Sequence, residues 1–157
     1  MEMRKRVLGQ QHPDTLSSMA GMVSIYRYKG QWNEAEELGV QVIEARKKVL
    51  GPMHPSTLDS MGNLAMIYRN QRQWKDAEKL FMQVVKAQKD MMGPDHPLTL
   101  TTMNNMALLF QDQGQWSEAE TLAMQVMEMS KKVRGPEHPE TLISMDNLGT
   151  ILWNQRR

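Results

Sequence analysis

The chain has 157 residues, with 19 Lys and Arg against 18 Asp and Glu for a formal net charge of +1, four His and no Cys. A balance this near neutral carries no electrostatic footprint for nucleic acid or an anionic membrane surface. Without cysteine there is no disulfide frame, thiolate metal site or thiol nucleophile. No apolar run nears the roughly 20 residues of a membrane span. The start, Met1-Glu2-Met3-Arg4-Lys5-Arg6, lacks the apolar stretch of a signal peptide, so the expected setting is reducing and cytoplasmic.

One period orders the elements. His12-Pro13-Asp14-Thr15-Leu16 returns as His54-Pro55-Ser56-Thr57-Leu58, His96-Pro97-Leu98-Thr99-Leu100 and His138-Pro139-Glu140-Thr141-Leu142, and the intervals 54−12, 96−54 and 138−96 are all 42. Gln31-Trp32, Gln73-Trp74 and Gln115-Trp116 keep the same beat, as do Gly9, Gly51, Gly93 and Gly135. A fixed period of this length marks a stack of helical units. In chain order the expected organisation is a single array. Residues 1–9 are expected to form the end of a B helix, with residue 1 in phase with Ile43 and Met127. Repeats follow at 10–51, 52–93 and 94–135, and an A helix without a B partner occupies 136–157.

In each repeat, Pro13, Pro55, Pro97 or Pro139 opens helix A, because proline's missing N–H is an orphan at the first helical position anyway. In the second repeat Leu58, Met61, Leu64, Ala65 and Tyr68 then recur at helical spacing. Helix A stops near Gln71 and Arg72, where the other repeats have Gly30 and Gly114. Helix B opens at Trp74 and runs to about Met91, with Ala77, Phe81, Val84 and Val85 on its apolar stripe. Gly93 and Pro94 end it. Acids gather at the start of each B helix (Glu34, Asp76, Glu118) and bases at its end (Arg46, Lys47, Lys48; Lys86, Lys89; Lys131, Lys132, Arg134). That distribution complements the helix dipole, and the basic runs are expected to be solvated turns. The last A helix is expected over about 140–155.

The spacing Met61-x2-Leu64-Ala65-x2-Tyr68, then Ala77-x3-Phe81, resembles the tetratricopeptide repeat, with Met61 and Ala65 where that family has Trp and Gly. Eight added residues per unit amount to about two helical turns. The 42-residue form with its His-Pro-x-Thr-Leu opening is similar to the repeats of kinesin light chain. It is also similar to near-identical arrays attached to nucleotide-binding signalling ATPases in fungi and bacteria. The resemblance implies an all-α fold, a right-handed α-solenoid of antiparallel helix pairs. Met19, Met61, Met103 and Met145 share one phase facing helix B and read as core, more plastic than an aliphatic one; the alternative for the many methionines is an adaptable partner groove.

Residues for chemistry are sparse. Neither G-x-G-x-x-G nor G-x-x-x-x-G-K-[ST] occurs, so no phosphate-cradling loop is expected, and no H-E-x-x-H occurs. His12, His54, His96 and His138 sit at equivalent points of successive units, too far apart to share one ion. They read as N-caps or turn residues. No catalytic, cofactor or metal residue is expected, and the chain reads as non-enzymatic.

A surface remains. The resemblance implies that A helices line a concave face holding a partner protein or peptide. Carried over in phase, the contact positions are Asn63, Asn105 and Asn147; Met66 and Leu108; Arg27, Arg69 and Gln111; Tyr28 and Asn70. Asparagine is a poor interior helix residue whose amide can donate to and accept from a peptide backbone. The same ladder could instead bond to the neighbouring A helix. The second expectation is self-association, by end stacking or helix exchange. The last A helix should expose Leu142, Met145, Leu148, Ile151 and Leu152, and exposed complementary ends make head-to-tail contacts.

Overall fold

The computed structural model describes residue 9 and residues 11–156, so the expected B-helix end at 1–9 lies outside the described residues apart from Gly9. Seven helices occur among the described residues, and no strand. They are α1 (Pro13–Tyr28), α2 (Trp32–Val49), α3 (Pro55–Asn70), α4 (Trp74–Met92), α5 (Pro97–Asp112), α6 (Trp116–Arg134) and α7 (Pro139–Gln155). Odd-numbered helices are the A helices and even-numbered ones the B helices.

The His-Pro-x-Thr-Leu phrase is a folded device. The Nδ1 of His12, His54, His96 and His138 accepts a hydrogen bond from the backbone N–H two residues on, at 3.2, 3.1, 3.2 and 3.2 Å. Each histidine is thus an N-cap, satisfying one of the orphan donors of the first turn. Proline follows at the first helical position. The fully buried threonine reaches back: Thr57 Oγ1 donates to the Gly51 carbonyl at 2.9 Å and Thr99 Oγ1 to that of Gly93 at 3.0 Å. It thereby ties the start of an A helix to the end of the preceding B helix. In the last repeat Thr141 Oγ1 is buried without a partner.

The corner between A and B helices needs one left-handed residue. Gly30 (φ 71°) and Gly114 (φ 73°) supply it, and in the second repeat Arg72 takes the same conformation (φ 61°). A non-glycine residue there sits in a disfavoured region. The short corner turns each B helix back along its A helix, so the pair is antiparallel.

The chain divides into two compact units, Met1–Leu80 and Phe81–Arg157, with the boundary inside α4. In the first, α2 packs between α1 and α3, which also touch each other. Its core takes Leu16, Met19 and Val23 from α1, Ala35, Leu38, Gly39 and Val42 from α2, and Leu58, Met61 and Leu64 from α3. α1 and α3 both flank Gly39: a Cβ there would meet Leu64 Cδ1 at 3.5 Å and Val23 Cγ1 at 3.9 Å, both ordinary van der Waals contacts. In the second unit α6 packs between α5 and α7. One core cluster joins Leu100, Met103 and Val126, flanked by Val85, Leu122 and Met129. The other joins Ala107, Ala119, Ala123 and Ile151, flanked by Phe110 and Leu148. Met19, Met61 and Met103 are buried, while Met145 is half-buried.

Two basic residues depart from the expected solvated turns. Arg46 is buried, and its Nη1 donates to the Ser56 carbonyl and to Ser60 Oγ, both at 2.7 Å. Burial lowers its pKa from the ordinary value, and the Asp59 carboxylate acts in the opposite sense. Arg134 is ion-paired with Glu140. Both run from a B-helix end to the start of the next A helix, so these cations tie elements together. The neighbouring Lys47, Lys48, Lys131 and Lys132 are exposed, as expected.

Candidate interaction surface on the A helices

The A helices present one face to solvent in each unit, and the positions expected to contact a partner are placed as follows. In the first unit Arg27 Nη1 of α1 donates to Asn63 Oδ1 of α3 at 2.7 Å. Asn63 Nδ2 has the Asp59 carboxylate at 3.5 Å, the outer limit of a hydrogen bond. Its amide nitrogen therefore keeps donor capacity facing the surface. Tyr28 is 94% exposed at the end of α1. Met66 and Arg69 are half-buried. Asn70 is exposed, and its Nδ2 donates to the Met66 carbonyl at 2.7 Å, one turn back.

In the second unit the pattern repeats with other partners. Asn147 Nδ2 of α7 donates to Asn104 Oδ1 of α5 at 3.1 Å. Asn105, Leu108 and Gln111 line the same face of α5, all half-buried. Gln111 Oε1 is buried without a hydrogen-bond partner. Ile143 and Trp153 of α7 are 55% and 63% exposed. The asparagines at 63 and 147 thus bond to the preceding A helix of their own unit, each with one amide atom.

The expected apolar stripe on the last helix is only partly present. Ile151 is fully buried against Ala107, Ala119 and Ala123, and Leu148 packs onto the same cluster. These two positions face the preceding B helix, which covers them. Leu142 is 52% exposed, where its counterparts Leu16, Leu58 and Leu100 are 1–2% exposed. Met145 and Leu152 are half-buried. The large apolar side chains that α7 exposes are therefore Leu142, Ile143 and Trp153, with the edges of Met145 and Leu152.

Among the described residues, no group of three or more His, Asp or Glu stands close enough to hold a metal ion. No helix among them is long and apolar enough to cross a membrane.

Antiparallel helix pairs repeating at 42 residues, each with a small-residue packing face, define a tetratricopeptide-type array, a class that generally mediates protein–protein interaction. The chain belongs to the tetratricopeptide repeat family, which it matches over residues 18–90, 56–132 and 98–157. Among solved structures it is similar to the nearly identical TPR-like repeats of a Podosopora anserina protein assigned to the kinesin light chains. The identity is 33%, over 99% of this chain and 74% of that one, with a TM-score of 0.81. A single-substitution variant of that protein gives 32% identity, the same coverage and a TM-score of 0.84. BtubC (BKLC) from P. vanneervenii shares the fold, with a TM-score of 0.84 at 18% identity over 96% of this chain and 61% of that one. A search of curated proteins finds no match.

The surface holds features that spacing alone did not reveal. Arg46 is buried, and a groove lies on the opposite side of α5 from its asparagine. The clue to the groove was available in phase: short Ser117 and Thr121 stand where the preceding repeat has Lys75 and Lys79.

Proposed function

We propose that the chain is a non-catalytic interaction scaffold that holds a protein segment along the exposed face of its A helices. The observation that carries this reading is the asparagine ladder. Asn63 is fixed by Arg27 through its oxygen and keeps a surface-facing donor, and Asn147 is fixed by Asn104 through its nitrogen and keeps an acceptor. A side chain immobilised by one bond loses less entropy on making a second, so the ladder is preorganised for a backbone. Arg27, Arg69 and Tyr28 favour an acidic or aromatic neighbour on the partner in the first unit. Met66 and Asn70 accompany them in the first unit, and Asn105, Leu108 and Gln111 lie on α5 in the second.

The test is a peptide array probed with the chain and with an Asn63→Ala, Asn105→Ala, Asn147→Ala variant whose fold is verified by circular dichroism. Binders should weaken at least tenfold in the variant. If every binder keeps its affinity, the ladder does not bind ligand.

A second reading rests on Leu142. The stripe that α5 buries against α6 is open on α7, so a second copy can cover Leu142, Ile143 and Met145, giving concentration-dependent association. Sedimentation velocity of the chain against Leu142→Glu checks it, and a clean monomer at high concentration sinks it.

A further inference from the structure

The second unit carries a groove of about 610 Å³ walled by the C-terminal part of α4 and the N-terminal part of α6. Met103, Met106 and Phe110 of α5 form its floor, and Val85 and Leu122 fill its lower walls. At about 100° per residue these floor positions lie on the side of α5 opposite Asn105 and Leu108. The groove is therefore separate from the face described under the proposed function. Met82, 55% exposed, stands at its lip.

We propose that this groove receives an amphipathic helix of a partner protein, with its apolar face on α5 and its acidic edge against α4. Three observations carry the choice. The floor residues stand at i, i+3 and i+7 along α5, about 10 Å of helix, which matches the spacing of apolar anchors on a docked helix. The walls are helices whose backbone groups are bonded internally. They leave nothing to satisfy an extended strand's N–H and C=O groups, whereas a helix satisfies its own. Finally, the rims differ in charge. The α4 rim carries Lys86 and Lys89, with Asp90 at its end, and the α6 rim carries Glu118. A helix with Glu or Asp along one edge and Lys or Arg along the other complements both.

The groove is open because of residues particular to this repeat. On the α6 rim Ser117 and Thr121 are short, exposed hydroxyl residues. Their in-phase counterparts, Lys75 and Lys79, are long cations. Placed on α6, two lysines would overhang the groove and turn the acidic rim basic. Methionine on the floor and lip suits partners of varied apolar shape, because its unbranched chain repacks readily.

The test uses the full chain as bait against a displayed library of alanine-based helices. Their positions i, i+4 and i+7 are randomised among Leu, Met and Phe, and each edge carries either Glu or Lys. Selection should enrich one edge arrangement, acidic toward α4. The enriched helices should lose at least tenfold in affinity for Ser117→Lys/Thr121→Lys, and should switch edge preference on Lys86→Glu/Lys89→Glu. They should bind the Asn63→Ala, Asn105→Ala, Asn147→Ala variant unchanged. Ser117→Lys/Thr121→Lys keeps exposed positions exposed and copies residues the neighbouring repeat already carries, so its circular dichroism should match the parent. No enrichment over a blank support would overturn the proposal, as would clones that bind Ser117→Lys/Thr121→Lys as tightly. Clones that tolerate a central proline would replace the helix with an extended segment. Self-association of the chain that disappears in Ser117→Lys/Thr121→Lys would make the occupant a second copy rather than a partner.

Discussion

Gly39 stands at a position where the second repeat has Phe81 and the third Ala123, all three buried. Gly39→Ala removes the conformational cost of a glycine inside α2, worth about 1 kcal/mol. The added methyl enters ordinary van der Waals contact with Leu64 Cδ1 at 3.5 Å and Val23 Cγ1 at 3.9 Å, with no atom closer. Burying it contributes up to about 0.8 kcal/mol more. The variant should be stabilised by about 1–2 kcal/mol, or about 2–4 °C in Tm per kcal/mol for a chain of this size. Urea unfolding followed at 222 nm should show a higher midpoint at unchanged slope, and amides of α1–α3 should exchange more slowly. Gly39→Phe should do the reverse. Its Cβ already touches Leu64, so a ring of the kind Phe81 buries in its own repeat must displace α1 or α3, costing about 1–3 kcal/mol or more. A lower midpoint for Gly39→Ala would refute the reasoning, because it would mean that α1 and α3 need the bare backbone.

Three further outcomes follow from named geometry. Arg72→Gly should stabilise the chain by about 0.5–1 kcal/mol, since the left-handed corner at φ 61° costs a non-glycine residue about 1–2 kcal/mol and glycine's own entropy returns part of it; thermal denaturation checks this. His96→Ala should cost about 1 kcal/mol by orphaning the Leu98 N–H, while His96→Asn should retain most of that stability as an alternative cap. Tyr68 is held above the ordinary tyrosine pKa by burial first, then by the Glu36 and Asp76 carboxylates. The folded state therefore binds the phenolic proton more tightly than the unfolded chain does. Its contribution is complete below the unfolded pKa and is lost as pH rises through the folded one. Tyr68→Phe, which copies Phe110 in phase, should flatten the alkaline fall in urea midpoint, and an unchanged slope would contradict the assignment.

The helix boundaries were legible because they depend on neighbours in sequence. Proline at the first helical position, histidine two residues before the capped N–H, and a left-handed residue at the corner all act within one turn of chain. Trp74 opens α4 and Gly93 follows its end, as the pattern predicts. Burial of individual polar residues was not legible. Arg46 and Lys47 are adjacent and carry the same charge, yet only Arg46 bonds to Ser56 and Ser60. Ile151 was expected to be exposed, but its phase matches Ile67 and Leu109, and the preceding B helix covers it. The asparagine ladder was visible as a pattern, but its bonding was open. Asn63 and Asn147 each spend one amide atom on the preceding A helix and keep the other.

The 42-residue period by itself determined that this is a stack of helix pairs, where each helix begins and ends, and which leucines, alanines and methionines face inward, because capping, proline geometry and helical phase are local. Tertiary structure decided which polar residues pair and where the surface opens. Arg27 reaches Asn63 across 36 residues and Asn147 reaches Asn104 across 43. Ser117 and Thr121 open a groove only because α4 and α5 supply its other walls. Those outcomes depend on which side chains face one another between helices, and near-identical repeats can answer that differently at each level of the stack.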